Sequence, residues 1–165
     1  MYKSVTRAIN NYVEHNRNDM ENVYMAESDV EVDMGEGGRV NGRIDMVKKI
    51  NLDGKDKIAI VDFKTANKVA VESINKEQLK IYALGYEKLT GEKADYMEIY
   101  QLDSEKRIKE DVTETVIHDV RKEITDAATN IRNNNLPRKC NKENCSKCHL
   151  NHLCLSKTEK KQYAL

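Results

Sequence analysis

The pair Asp53-Gly54, set inside "NLDGKD" between two runs of β-branched and apolar residues, constrains this chain more than any other feature. The tightest hairpin turns need positive φ at both central residues, which Asp and Gly tolerate, so the pair predicts a two-residue turn and with it a register. In that register Asp45 of "GRID" lies directly opposite Asp62 of "IVDFKT", on one face of an antiparallel pair. Carboxylates so placed repel one another, unless one holds a proton or a cation lies between them.

Lys64 follows Asp62 by two residues and projects from the same face, while Phe63 turns the other way into the core. Two carboxylates on adjacent strands, with an ammonium beside them, can hold Mg²⁺ or Mn²⁺ and place a water next to it. The lysine is then placed to position a nucleophilic water, help deprotonate it and counter developing charge. The natural substrate of such a set is a phosphodiester. An isolated Asp-x-Lys is far more often a strand-end charge pair at a solvent edge, and it is the opposed Asp45 that argues for chemistry.

The rest of the pattern frames this hairpin. Spacing predicts a helix over residues 4–18, strands over Val23–Val32, Val40–Ile50 and Lys57–Thr65, and a helix over 74–89 ended by Gly91. A fourth strand in "ADYMEIYQL" follows, and then a long amphipathic helix over 112–135, with Val112, Val116, Val120, Ile124, Ala128 and Ile131 along one side. The expected class is α/β, a mixed central sheet flanked by helices. Pro137, the only proline, marks the boundary between a core domain over 1–136 and a Cys-rich tail over 137–165.

The formal net charge is zero, so overall charge gives no argument for nucleic acid. The basic excess is local: from Pro137 onward there are seven Lys and Arg against two Glu. No run approaches the roughly 18 apolar residues of a membrane span, and "MYKSVTRAINNYVEHNRND" lacks the apolar segment of a secretory signal. The expectation is a cytoplasmic protein with no membrane partner.

Taken jointly, "GRID", the turn that aligns it, "IVDFKT" and "QLKIY" on the next helix resemble the RecB-type branch of the PD-(D/E)XK nucleases. The nearest kind is the nuclease domain at the C-terminus of superfamily 1 helicases such as UvrD, PcrA and AddA. The resemblance covers roughly residues 20–155 and implies a restriction-endonuclease-like core. It places one metal ligand at Asp45 of the Gly-x-x-Asp strand and a second at Asp62, the catalytic lysine at Lys64, and a further ligand at the carbonyl of Phe63. The family's Gln-hydrophobic-x-x-Tyr motif falls on Gln78, Leu79 and Tyr82, which share one helical face. Read without the resemblance, the same residues are equally a capping box from Asn75 to Gln78 and a core Tyr82. Glu27 matches an acidic residue often found on the first strand and is a candidate for the metal environment, with exposed strand charge the plainer reading. The family's upstream Gly-x-x-x-His helix has no counterpart before Met20, and His15 in "YVEHN" reads as a surface residue. The domain is therefore either truncated at its front or works without that ligand.

All four cysteines, Cys140, Cys145, Cys148 and Cys154, fall within "CNKENCSKCHLNHLC". Such clustering in a reducing compartment argues for a metal, and spacing alone does not separate zinc from an iron–sulfur cluster. His149 and His152 are further possible zinc ligands. The resemblance implies a [4Fe-4S] cluster on Cys145, Cys148 and Cys154 that the family completes with a distant upstream cysteine. In this chain either Cys140 serves as the fourth ligand or that partner is lost with a missing N-terminal segment, and Zn²⁺ is the alternative occupant.

The implied activity is a Mg²⁺- or Mn²⁺-dependent deoxyribonuclease of a helicase-nuclease acting in DNA repair or recombination. Its substrate would be DNA, expected as single strands, fed by a superfamily 1 motor on the same polypeptide or a partner. No phosphate-binding Gly-rich loop occurs in the chain. The alternative is a non-catalytic DNA-binding or structural module of a helicase that keeps the nuclease fold.

Overall fold

A computed structural model describes residues 2–35, 38–65, 72–138, 145–146 and 148–154. In chain order the elements are helices α1 (Tyr2–His15) and α2 (Arg17–Glu21), strands β1 (Val23–Asp33), β2 (Arg39–Leu52) and β3 (Lys55–Lys64), and helix α3 (Glu72–Thr90). Strands β4 (Tyr96–Gln101) and β5 (Lys106–Asp111) and helices α4 (Glu114–Arg132) and α5 (Asn151–Cys154) follow. The chain divides into two compact units, Met1–Ala128 and Thr129–Leu165. The first holds the sheet.

That sheet runs β1-β2-β3-β4-β5, antiparallel except for the parallel pair β3–β4, which α3 connects. The mixed sheet with flanking helices is the restriction-endonuclease-like α/β class expected from the sequence. Asp53 and Gly54 carry φ of 53° and 78°, as a primed hairpin turn demands, and Leu52 pairs with Lys55 across them. Sequence patterning missed β5. Its segment "KRIKED" has one apolar residue, Ile108, because an edge strand needs only one half-covered face.

Two cores cover the two faces. Leu79, Tyr82, Ala83 and Tyr86 of α3 and Ile117 and Val120 of α4 pack on Val30, Val32, Ile44, Val47, Ile60, Met97 and Ile99. On the opposite face Tyr12 of α1 joins Met46, Val61 and Tyr100, with Phe63 and Leu102 at the margin, and Tyr12, Phe63 and Tyr100 meet edge to face.

The N-terminal helices are fastened by a buried ion cluster. Lys48 on β2 places Nζ 3.2 Å from Asp19 Oδ1 and 3.3 Å from Glu98 Oε1 on β4, and both Lys48 and Glu98 are almost wholly buried. Arg107 on β5 pairs with Glu98, with the side chain of Asn16, and with Asp19 Oδ2 at 2.7 Å. The exposed Lys109 adds a third cation 3.6 Å from Glu98 Oε2, so each buried or half-buried charge in the cluster has a partner of opposite sign, the condition under which buried charge is tolerated.

Candidate metal centre

Two strands, β2 and β3, create the site by diverging. The β2–β3 ladder ends at Met46–Val61. Beyond that point β2 continues against β1 alone, as far as Arg39 opposite Asp33, and β3 continues against β4 alone, as far as Lys64 opposite Gln101. Asp45 and Asp62 are the first residues past the split, one on each prong.

The split coincides with a break in strand alternation. Ile44 and Val47 both join the core under α3 although they are three residues apart, which two-residue alternation forbids, while Met46 faces α1. Across from Asp45, Glu27 takes a φ of 48°, the left-handed region that non-glycine residues rarely occupy. In the gap, the Phe63 N–H donates to Asp45 Oδ2 at 2.8 Å, so a carboxylate replaces a ladder partner and is fixed beside Asp62.

Asp62, Lys64, Gln78 and Tyr82 form one continuous chain of contacts. Lys64 Nζ donates to Asp62 Oδ1 at 3.0 Å and to Gln78 Oε1 at 3.1 Å, and Gln78 Nε2 donates to the Tyr82 hydroxyl at 2.6 Å. Each donor has an acceptor, so the lysine's position is set from two sides. Asn75 lies within α3, so Gln78 closes no capping box. Leu79, the motif's apolar member, is buried in the core.

Asp62 is the unusual group. Its side chain is buried, and Oδ2, though 2.8 Å from Lys64 Nζ, accepts no hydrogen bond. Burial pushes its carboxyl above the ordinary value, Lys64 pulls it down, and the negative charge of Asp45 pushes it up again. A buried carboxylate oxygen with no hydrogen bond, beside a second carboxylate, fits a hard divalent cation. Mg²⁺ commonly takes only one or two carboxylates and keeps several waters, so a third acidic side chain is not required. Among the described residues no group of three His, Cys, Asp or Glu gathers as a ready metal cage.

Glu27 does not join this chain. Its side chain is mostly exposed and pairs with Arg43 at 3.1 Å, although it lines the same groove as Asp45. His15 is exposed and pairs with Glu105. Cys140 lies outside the described residues. In the second unit Cys145 is buried, Cys148 exposed and Cys154 half-buried, all free thiols. The described geometry of the second unit therefore does not display the expected cluster.

Sequence reasoning missed the Lys48–Glu98–Arg107–Asp19 cluster. A signal existed, since Glu98 interrupts the apolar run "YMEIY" at its centre, where only a partnered charge can sit.

A family model of the PD-(D/E)XK nuclease superfamily matches residues 2–155. The chain belongs to that superfamily. A search of curated proteins finds no match. Among solved structures, a candidate exonuclease from Eubacterium rectale is similar at 15% identity and a TM-score of 0.56, over 94% of this chain and 61% of that one. The structure of SSO0001 is similar at 18% identity and a TM-score of 0.48, over 93% of this chain and 67% of that one. The chain thus spans about three fifths of the exonuclease-like structure, and a likeness at this identity concerns the fold. None of the described helices is long and apolar enough to cross a membrane.

Proposed function

We propose that this PD-(D/E)XK domain is a divalent-metal-dependent deoxyribonuclease that hydrolyses phosphodiester bonds at the strand fork. The observation that carries the reading is the unbonded, buried Oδ2 of Asp62 beside Asp45, with Lys64 held against it. Mg²⁺ or Mn²⁺ would be held by Asp45, Asp62 and the Phe63 carbonyl, and would supply Lewis acidity toward the phosphate and a more acidic water.

The chain's own residues divide the remaining work. Lys64 Nζ, the only cationic group in the hydrogen-bonded chain, holds the attacking water by hydrogen bonding and counters charge that builds on the phosphate oxygens. Gln78 keeps that ammonium from swinging wholly onto Asp62, and Tyr82 fixes the amide of Gln78. Asp45, braced by the Phe63 N–H, keeps its carboxylate at the fork.

A superfamily 1 helicase motor as its source of DNA, and a role in repair or recombination, extend this reading on the strength of the RecB-like motifs. The same RecB-like resemblance extends the reading to a [4Fe-4S] cluster on Cys140, Cys145, Cys148 and Cys154, with Zn²⁺ as the competing occupant, since the spacing suits either. Iron, sulfide and zinc analysis of protein purified without oxygen decides between them.

The test of the nuclease reading is cleavage of end-labelled single- and double-stranded DNA with Mn²⁺, wild type beside Asp62→Ala. Metal-dependent cutting that the substitution abolishes is the expected result. DNA binding without cutting would make the domain a non-catalytic module instead.

A further inference from the structure

On the α1 side of the fork lies a groove of about 430 Å³ whose wall is almost entirely apolar: Ile9, Val13, Met20, Val23, Phe63 and Leu102 contribute to it. Its polar rim is made by Asp45 and Glu27. Ile9, Val13 and Met20 are each about half exposed, so the groove is open to solvent.

We propose that this groove takes an unpaired nucleobase of the DNA strand being cut, and so makes single-stranded or frayed DNA the substrate. The inference rests on the nuclease reading and adds a second half to the same site. The groove is continuous with the metal centre through two residues. Asp45 lines it directly, and Phe63 lines it with its ring while its backbone N–H binds Asp45. A base attached to a phosphate held at the fork would therefore reach this groove.

The lining selects which part of a nucleotide that is. The apolar walls offer neither a phosphate nor a sugar hydroxyl a partner, whereas a base gains from apolar contact and from the half-buried Phe63 ring. Bases in a duplex are stacked and paired, so only an unpaired one can leave the stack to enter.

The wall is also built to stay open. Its α1–α2 side is tied to the sheet by Asp19 to Lys48 and Arg107, and by Asn16 to Arg107 and to the Tyr100 hydroxyl at 3.1 Å. A preformed groove loses little on binding.

The experiment compares the affinity of the full chain for oligothymidylate and for an abasic phosphodiester strand of equal length and charge, with Ca²⁺ in place of Mg²⁺ or Mn²⁺ so that the fork stays occupied while cutting is suppressed. The expected result is about 10-fold weaker binding of the abasic strand, within the range of one stacked base. Val13→Ser and Ile9→Ser, at exposed positions, should each bring oligothymidylate down to the abasic level and leave abasic binding and Tm unchanged. Equal wild-type affinity for the two strands overturns the proposal. So does an equal loss on both strands in the variants, or a dimer in sedimentation that Val13→Ser dissolves, which would make a second copy the occupant. Because no cleavage is read, a base preference without nuclease activity would sink the nuclease reading and spare the groove, and cleavage without base preference would do the reverse.

Discussion

Tyr82 lies so close against Gly42 that a methyl group added to Gly42 would stand 2.7 Å from Tyr82 Cε1. The glycine on β2 is thus a seat for the ring on α3 whose hydroxyl accepts from Gln78, and Gln78 in turn holds Lys64. A backbone position on one prong of the fork sets the lysine on the other.

Gly42→Ala should therefore act at a distance. Overpacking of this kind costs about 1–3 kcal/mol, and a small misplacement of a reacting group can cost roughly 100-fold in rate. We expect a modest fall in Tm with a fall in cleavage of about 100-fold, whereas Tyr82→Phe keeps the packing and loses only the hydroxyl. Equal activity of Gly42→Ala and wild type would disprove the linkage.

Lys64 and Gln78 should separate by degree. Lys64→Ala removes the charge at the phosphate and should lower cleavage by roughly 1,000-fold. Gln78→Ala leaves the ammonium but frees it to swing toward Asp62, an orienting loss of about 10- to 100-fold. Single-turnover rates at saturating DNA measure both, and a neutral Gln78→Ala would show that Asp62 alone fixes the lysine.

Metal binding should register in stability without any cleavage. A cation that binds the folded chain alone stabilises it by about 2.7 kcal/mol at 100 times its Kd. Mn²⁺ should raise the Tm of wild type and leave Asp45→Asn and Asp62→Asn unmoved, because each removes a charge that the cation neutralises. Without metal, Asp62→Asn should be no less stable than wild type, since burial and Asp45 both disfavour its ionised form. A Mn²⁺-induced rise in Asp62→Asn equal to that of wild type would locate the metal elsewhere.

The hairpin was legible because Asp53-Gly54 admits few conformations, and the register that followed brought Asp45 to the fork beside Asp62. Lys64 was legible from strand alternation with Asp62, whereas Gln78 and Tyr82 came from the family resemblance, because helix spacing alone reads them equally as a capping box and a core tyrosine. The fork was not, since it needs the alternation to fail at Asp45 and an unusual backbone at Glu27, and neither leaves a mark in composition. Strand β5 was hidden by its single apolar residue. The ion cluster was hidden because Asp19, Lys48, Glu98 and Arg107 come from four separate elements and only the folded chain brings them together.

That cluster predicts how the protein responds to acid. Burial pushes the Asp19 carboxyl up, but Arg107 and Lys48 more than offset this and hold it below its ordinary value. A carboxyl depressed in the folded state contributes stability that is fully present above its unfolded value, about 3.9, and lost as pH falls through the folded one. Wild type should accordingly lose stability from roughly pH 4 downward, while Asp19→Asn, already weaker by about 2 kcal/mol at neutral pH, should show a flatter profile over the same window. Urea unfolding between pH 7 and pH 2 reads both slopes. Since α1 and α2 form one wall of the apolar groove, Asp19→Asn should also weaken oligothymidylate binding at neutral pH more than abasic binding. Parallel acid profiles for the two proteins would mean that Arg107 and Lys48 find other partners when Asp19 is gone, and that the wall does not depend on this ion pair.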